Sequence, residues 1–221
     1  MAERTTARTP STKDARDDKR RTILQAAMQI FREYGFAAAT TLDIATRARV
    51  SKRELYALVG NKQEMLIACI TERAKRLQAP ADLPVPRDRG ALAAVLASFG
   101  AQLLREVSEP TVIAILRLAI AEAVHAPEVA HALDSRGREA SRAALRQIMD
   151  RARTSRLLDG RPAQLAEQFR GLLWRDLMVS LLLGVAERPG SREVETRARN
   201  AAADFLALHP MPNDDVTPRR G

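Results

Sequence analysis

Three times between Thr40 and Leu66, in TTLDIATRARVSKRELYALVGNKQEML, a small polar residue stands three places before a carboxylate. The pairs are Thr40 with Asp43, Ser51 with Glu54, and Asn61 with Glu64. This spacing suits helix starts. The first N–H groups of a helix have no partner within it, so a Thr, Ser or Asn side chain accepts from them. The carboxylate at the third helical position then accepts from the cap backbone and faces the positive end of the helix dipole. Ser51 and Glu54 form a full capping box, and the other two pairs are variants of it. Between the starts lie Arg47, Arg49, Lys52, Arg53 and Lys62, cationic groups suited to a polyanion.

The elements that must position these residues follow from the apolar pattern. A helix over 41–48 offers Ile44, Ala45 and Ala48 inward, Val50 fills a turn, and a helix over 52–58 offers Leu55 and Leu58. Each is too short to persist alone, and each cap contributes about 1 kcal/mol. Two short helices around a tight apolar turn make a helix-turn-helix, here spanning 40–59. The outward residues of its second helix are Lys52, Arg53, Glu54, Tyr56 and Ala57. A helix of this kind enters the major groove with its N-terminal residues on base edges, and arginine with guanine is the commonest specific pairing.

A helix from about Asp18 to Tyr34 precedes this motif, with Ile23, Ala27, Ile30 and Tyr34 on one face and Gly35 as its stop. The helix opened by Asn61 continues to about Gln78, with Met65, Leu66, Cys69, Ile70 and Leu77 inward. Of the 36 Lys and Arg and 27 Asp and Glu in the 221-residue chain, residues 1–76 hold 16 and 9, a local net charge of +7 out of +9 overall. The basic excess therefore surrounds the motif, as expected of a nucleic-acid-binding domain joined to a near-neutral one.

Composition makes the chain all-α. Ala, Leu, Arg and Glu abound, Gly and Pro are few, and no β-branched alternation is present. A single cysteine, Cys69, excludes an intrachain disulfide framework. The N-terminus lacks the apolar segment of a signal peptide. The most apolar stretches, 111–124 and 177–186, fall short of the roughly 20 residues needed to cross a bilayer. The expected location is cytoplasmic, with no membrane partner.

The stretch from about Asp17 to Leu77 resembles the DNA-binding domain of the tetracycline-repressor (TetR-like) regulators. An amphipathic helix ends at Gly35-Phe36, and TTLDIA, VSKRELY and NKQEML follow. Arg49 stands where the family has glycine in the turn, Arg53-Glu54 replaces a Gly-Thr-like pair, and Val59 replaces a common Phe. The resemblance implies phosphate contacts from Thr40, Thr41, Tyr56 and Lys62, and base reading by Lys52 and Arg53. With the outward or capping Ser51 and Glu54, these eight are the candidate DNA-binding residues. The implied partners are double-stranded operator DNA, a second copy of the chain and a small-molecule effector of unknown identity.

The expected organisation is a disordered arm at 1–16, a DNA-binding domain at 17–77, a proline-rich linker at 78–90, a helical effector-binding and dimerisation domain at 91–208, and a disordered tail at 209–221. RLAIAEAVHAPEV, 117–129, resembles the AefR-like branch of C-terminal domains. Within 91–208 the helices fall at 91–107, 110–125, 127–156 with Gly137 as a possible break, 162–186 and 192–208. The second is apolar on nearly every face and is expected to run through the middle, interrupted by Arg117 and Glu122, which are read as pairing, buried, with other protein groups or as binding an acidic effector or polar group.

Phe99, Leu103, Ile113, Arg117, Phe169 and Trp174 are the candidate effector pocket. The helix over 162–186 is apolar on two faces, so a four-helix dimer bundle is expected, with Leu172, Leu173, Leu177, Ser180, Gly184 and Phe205 at the interface. No Gly-rich phosphate loop, HExxH or Cys/His metal spacing is present, and His125 and His131 do not share a helical face. No cofactor, metal site or catalytic residue is expected. A repressor released by its effector is the reading. The alternatives are a non-specific architectural DNA-binding protein and, more remotely, an all-α enzyme.

Overall fold

The computed structural model describes residues 12–78, 85–121, 123–124 and 127–211. Residues 79–84 of the expected linker fall outside them, as do His125 and Glu122, most of the tail and the first eleven residues of the arm. Among the described residues every regular element is helical. The chain packs as two compact units, divided in sequence between Ile70 and Thr71.

The first unit contains α1 (Thr12–Ala38), α2 (Thr41–Ala48), α3 (Lys52–Leu58) and most of α4 (Lys62–Ala74). Helix α1 begins at Thr12, inside the stretch expected to be disordered, and bends at Gly35, whose φ of 74° and ψ of 167° interrupt the helix where a stop was expected. Its buried stripe is Ile23, Leu24, Ala27, Ile30 and Phe31. Tyr34, expected on that stripe, is 58% exposed. Ile44, Ala45, Ala48, Leu55, Met65 and Leu66 complete the core. Cys69 is buried beside them and donates to Leu24 O at 3.5 Å.

The second unit begins within α4, so α4 ends, and the turn Lys75–Leu77 packs, in the second unit and not in the DNA-binding domain expected to reach residue 77. It continues with α5 (Arg89–Val107), α6 (Pro110–Ala121), α7 (Pro127–Ala132), α8 (Glu139–Thr154), α9 (Pro162–Trp174), α10 (Leu177–Leu183) and α11 (Ser191–Leu208). Helix α5 packs lengthwise on α11, and α9 lies between α8 and α11. Leu92, Leu96, Phe99, Leu103 and Leu104 of α5 are buried, so α5 is the central helix. By length and composition α5 alone among the described helices could cross a membrane, yet those residues belong to the core.

Two expectations fail here for physical reasons. Helix α6 is not central: it buries Thr111, Ile113, Ile115 and Ala119 but leaves Ile120 62% exposed and, just beyond its end, Val124 85% exposed. The helix expected over 162–186 is broken at Arg175, whose φ of 44° and ψ of −123° lie outside any helical region, and restarts at Leu177. No Gly or Pro marks that break. At Gly137 the opposite holds, since the chain stays helical there by widening into a π-helical segment, Leu133–Arg138.

Candidate nucleic-acid interface

All three capping pairs close reciprocally. Asp43 N–H donates to Thr40 Oγ1 (3.1 Å) and Thr40 N–H to Asp43 Oδ2 (3.3 Å). Glu54 N–H donates to Ser51 Oγ (3.1 Å) and Ser51 N–H to Glu54 Oε2 (3.1 Å). Glu64 N–H donates to Asn61 Oδ1 (2.9 Å) and Asn61 N–H to Glu64 Oε2 (2.7 Å). The crowded starts thus fix where α2, α3 and α4 begin, and Leu55, fully buried, anchors α3 on the core.

Lys52 and Arg53, in the first turn of α3, are exposed and make no ion pair or side-chain hydrogen bond among the described residues. Both are therefore available to a ligand. Tyr56, one turn on and 50% exposed, brings its hydroxyl to 3.3 Å from Thr41 Oγ1 at the start of α2. The α2 N-terminus and the outward face of α3 thus share one surface, which joins Thr40, Thr41 and Tyr56. Leu42, next to Thr41, is 55% exposed there and was not anticipated.

Glu54 is committed within the chain. One carboxylate oxygen holds the Ser51 cap and the other accepts from Lys19 Nζ of α1 at 2.9 Å. The Lys19 bond, with the Ser51 backbone and hydroxyl, lowers its pKa to about 2. Such a carboxylate ties the start of α3 to α1. Lys19 lies 35 residues upstream, beyond any local spacing rule. A second tie joins α1 to α2, where Arg47 Nη1 meets Glu33 Oε1 at 2.7 Å and its guanidinium pKa is raised.

Lys62 departs further from expectation. Its ammonium donates to the carbonyls of Phe36 (2.8 Å), Ala37 (3.2 Å) and Ala39 (3.1 Å), and stands 4.6 Å over the Phe36 ring. A lysine has three donors, and all three satisfy the C-terminal end of α1. The geometry makes Lys62 a cap for α1, not a group reaching outward to phosphate.

In the second unit Phe99, Leu103, Ile113, Phe169 and Trp174 lie in one buried cluster, with Phe169 edge-on to Phe205 at 5.8 Å between ring centroids. Arg117 is not among them. Its Nε and Nη2 donate to the carbonyls of Leu182 and Leu181, both at 2.8 Å, so it caps α10. Gly184 ends α10 with φ 76°, and an added Cβ would stand 3.3 Å from Arg117 Nη2. Its role is that helix stop. Leu173, Leu177 and Phe205 are buried inside the chain, which removes them from any interface surface. Leu172 and Ser180 are half-buried. Of the aliphatic side chains left exposed in this unit, Val179 (58%), Leu183 (72%) and Val185 (76%) lie on and after α10, and Ile120 and Val124 lie on and after α6. Their exposure was missed because the sequence shows no break at Arg175.

Among the described residues no group of three or more His, Cys, Asp and Glu could hold a metal ion. Residues 23–69 match the family of bacterial regulatory proteins, tetR family, and residues 94–209 match the AefR-like transcriptional repressor, C-terminal domain. No curated protein matches the sequence. Among solved structures, the fold resembles a putative TetR-family transcriptional regulator from Mesorhizobium loti, with a TM-score of 0.74 at 23% identity, over 89% of this chain and 98% of that one. A TetR transcriptional regulator from Agrobacterium tumefaciens has a TM-score of 0.74 at 29% identity, over 87% and 95%. The flavonoid-responsive regulator FrrA has a TM-score of 0.67 at 29% identity, over 89% and 99%.

Proposed function

Since the chain belongs to the TetR family of bacterial regulatory proteins, with a C-terminal domain of the AefR-like repressor type, and is a DNA-binding transcriptional regulator, we propose the following roles for its parts. Lys52 and Arg53 read bases in the major groove. Thr40, Thr41 and Tyr56 hold the phosphate backbone from the shared surface of α2 and α3. Ser51 and Glu54 set the position and start of α3, and Lys62 closes α1. The observation that carries this reading is the pair of unpartnered cations in the first turn of α3, flanked by the Thr41–Tyr56 contact at 3.3 Å.

The functional form is a homodimer acting in the cytoplasm on operator DNA. Its interface centres on Val179, Leu183 and Val185 and includes Leu172 and Ser180, because exposed aliphatic groups on packed helices are the surface a second copy would cover. The effector is a small apolar molecule held among α5, α6 and α9 by Phe99, Leu103, Ile113, Phe169 and Trp174, whose apolar character supports that ligand class. Arg117 takes no part in this pocket. The name of FrrA makes flavonoids a sensible first set of compounds to screen. Binding releases operator by favouring a subunit arrangement whose two recognition helices no longer fit successive major grooves. No catalytic role is assigned.

Selection of bound fragments from the protein's own genomic DNA tests this reading. A short two-fold symmetric site, with half-sites about one helical turn apart, is expected. Recovery of fragments without any common sequence would replace it with the architectural alternative.

A further inference from the structure

Three described non-glycine residues have positive φ, and all are arginine: Arg49 (55°), Arg156 (56°) and Arg175 (44°). Arg49 ends α2 with a complete left-handed stop. Its N–H donates to Thr46 O (3.2 Å), and the next N–H, of Val50, donates to Ala45 O (3.0 Å). Glycine fills such a position without the steric conflict that a Cβ brings. The turn would therefore form more readily without this arginine, and its side chain must be explained by something other than the turn.

That side chain is exposed and has no ion pair or hydrogen bond among the described residues. Arg47, two residues earlier, is by contrast tied to Glu33 at 2.7 Å. Two residues after Arg49 comes Ser51, the cap of α3, followed at once by Lys52 and Arg53. Where a recognition helix enters a groove by its N-terminus, the chain just ahead of that terminus lies within arginine's reach of the groove's phosphate edge. Guanidinium and phosphate are matched in geometry and charge.

We infer that Arg49 is an additional phosphate contact, placing a cation on the backbone beside the base pairs that α3 reads. The inference rests on the reading of α3 as the DNA-reading helix. Arg49 sets affinity for any duplex and leaves sequence choice to Lys52 and Arg53.

Arg156 supplies the control, because it ends α8 by the same motif. Its N–H donates to Arg153 O and the Leu157 N–H to Ala152 O, both at 2.9 Å, and it lies in the second unit. Arg49→Gly, Arg156→Gly and Arg49→Lys are compared by thermal unfolding and by binding to operator and to random duplex across a salt series. Both glycine variants should unfold at a higher temperature than the parent. Only Arg49→Gly should weaken binding, to operator and random duplex alike, by about fivefold per protomer near 0.15 M salt, with the log–log salt slope reduced by about 0.9 per protomer. Arg49→Lys should keep the parent slope.

Unchanged affinity and slope in Arg49→Gly would overturn the inference, as would an equal loss in Arg156→Gly or a loss confined to particular base pairs. If Arg53→Ala alters base preference while Arg49→Gly binds like the parent, only this inference fails. If the parent protein shows no preference for any site, the reading beneath it fails first.

Discussion

Replacing Lys62 by Met keeps the aliphatic stem and helix propensity while removing the ammonium that holds three carbonyls at 2.8, 3.1 and 3.2 Å. Hydrogen bonds to a charged group contribute about 1.5–3 kcal/mol when well buried. Two of these three carbonyls, Phe36 O and Ala39 O, are only partly buried and the third is exposed. Discounting for water gives about 1 kcal/mol for each of the first two and a few tenths for the third. The contact with the Phe36 ring adds about 0.5 kcal/mol. The expected loss is about 3 kcal/mol in the first unit.

Trp174 lies in the second unit, so urea unfolding of this variant is best followed by circular dichroism and not by fluorescence. The salt slope of DNA binding, measured below the unfolding transition, should match that of the parent. Unchanged stability together with a slope lower by about 0.9 per protomer would show that Lys62 contacts phosphate and would refute the assignment of its donors to α1.

Two further outcomes follow from the same reasoning. Glu54 has a folded pKa of about 2 against an ordinary value of 4.5, so between those values the unfolded chain binds more protons and the stability it contributes falls as pH falls. Denaturation at a series of pH values should show a smaller acid loss in Glu54→Gln than in the parent across that window, and parallel curves would contradict it. Leu183→Asp, at a site 72% exposed within the chain, should give a folded monomer in sedimentation velocity, and an unchanged dimer would move the interface off α10.

The legible and illegible parts of this chain differ by how far apart in sequence the partners stand. The three caps join residues three apart, so their chemistry can be read directly from the letters, and all three close. The apolar spacing of Ile44, Ala45, Ala48 and Leu55 likewise identifies one buried seam. Lys62 was misread because its acceptors lie 23–26 residues upstream, where only tertiary structure brings them to its ammonium. Glu54 was read as facing DNA because nothing local announces Lys19.

In the second unit the run LLWRDLMVSLLLG is apolar enough to suggest two stripes of one long helix. The turn at Arg175 rotates α10 relative to α9, burying Leu173 and Leu177 in the core and turning Val179 and Leu183 outward. Arg117 shows the same limit. Pairing with other protein groups could be expected of a cation in an apolar helix, but not which groups: its partners are two carbonyls more than 60 residues away.

The central claim is that the first turn of α3 reads sequence, and Arg53→Ala tests it most directly. Affinities of parent and variant are measured for the selected operator and for every single base-pair change within it. The variant should lose about 1–3 kcal/mol at one or two positions per half-site and stop discriminating there, with random duplex affected much less. An equal loss for all sequences, with the preference profile unchanged, would contradict the claim and reduce Arg53 to a phosphate contact.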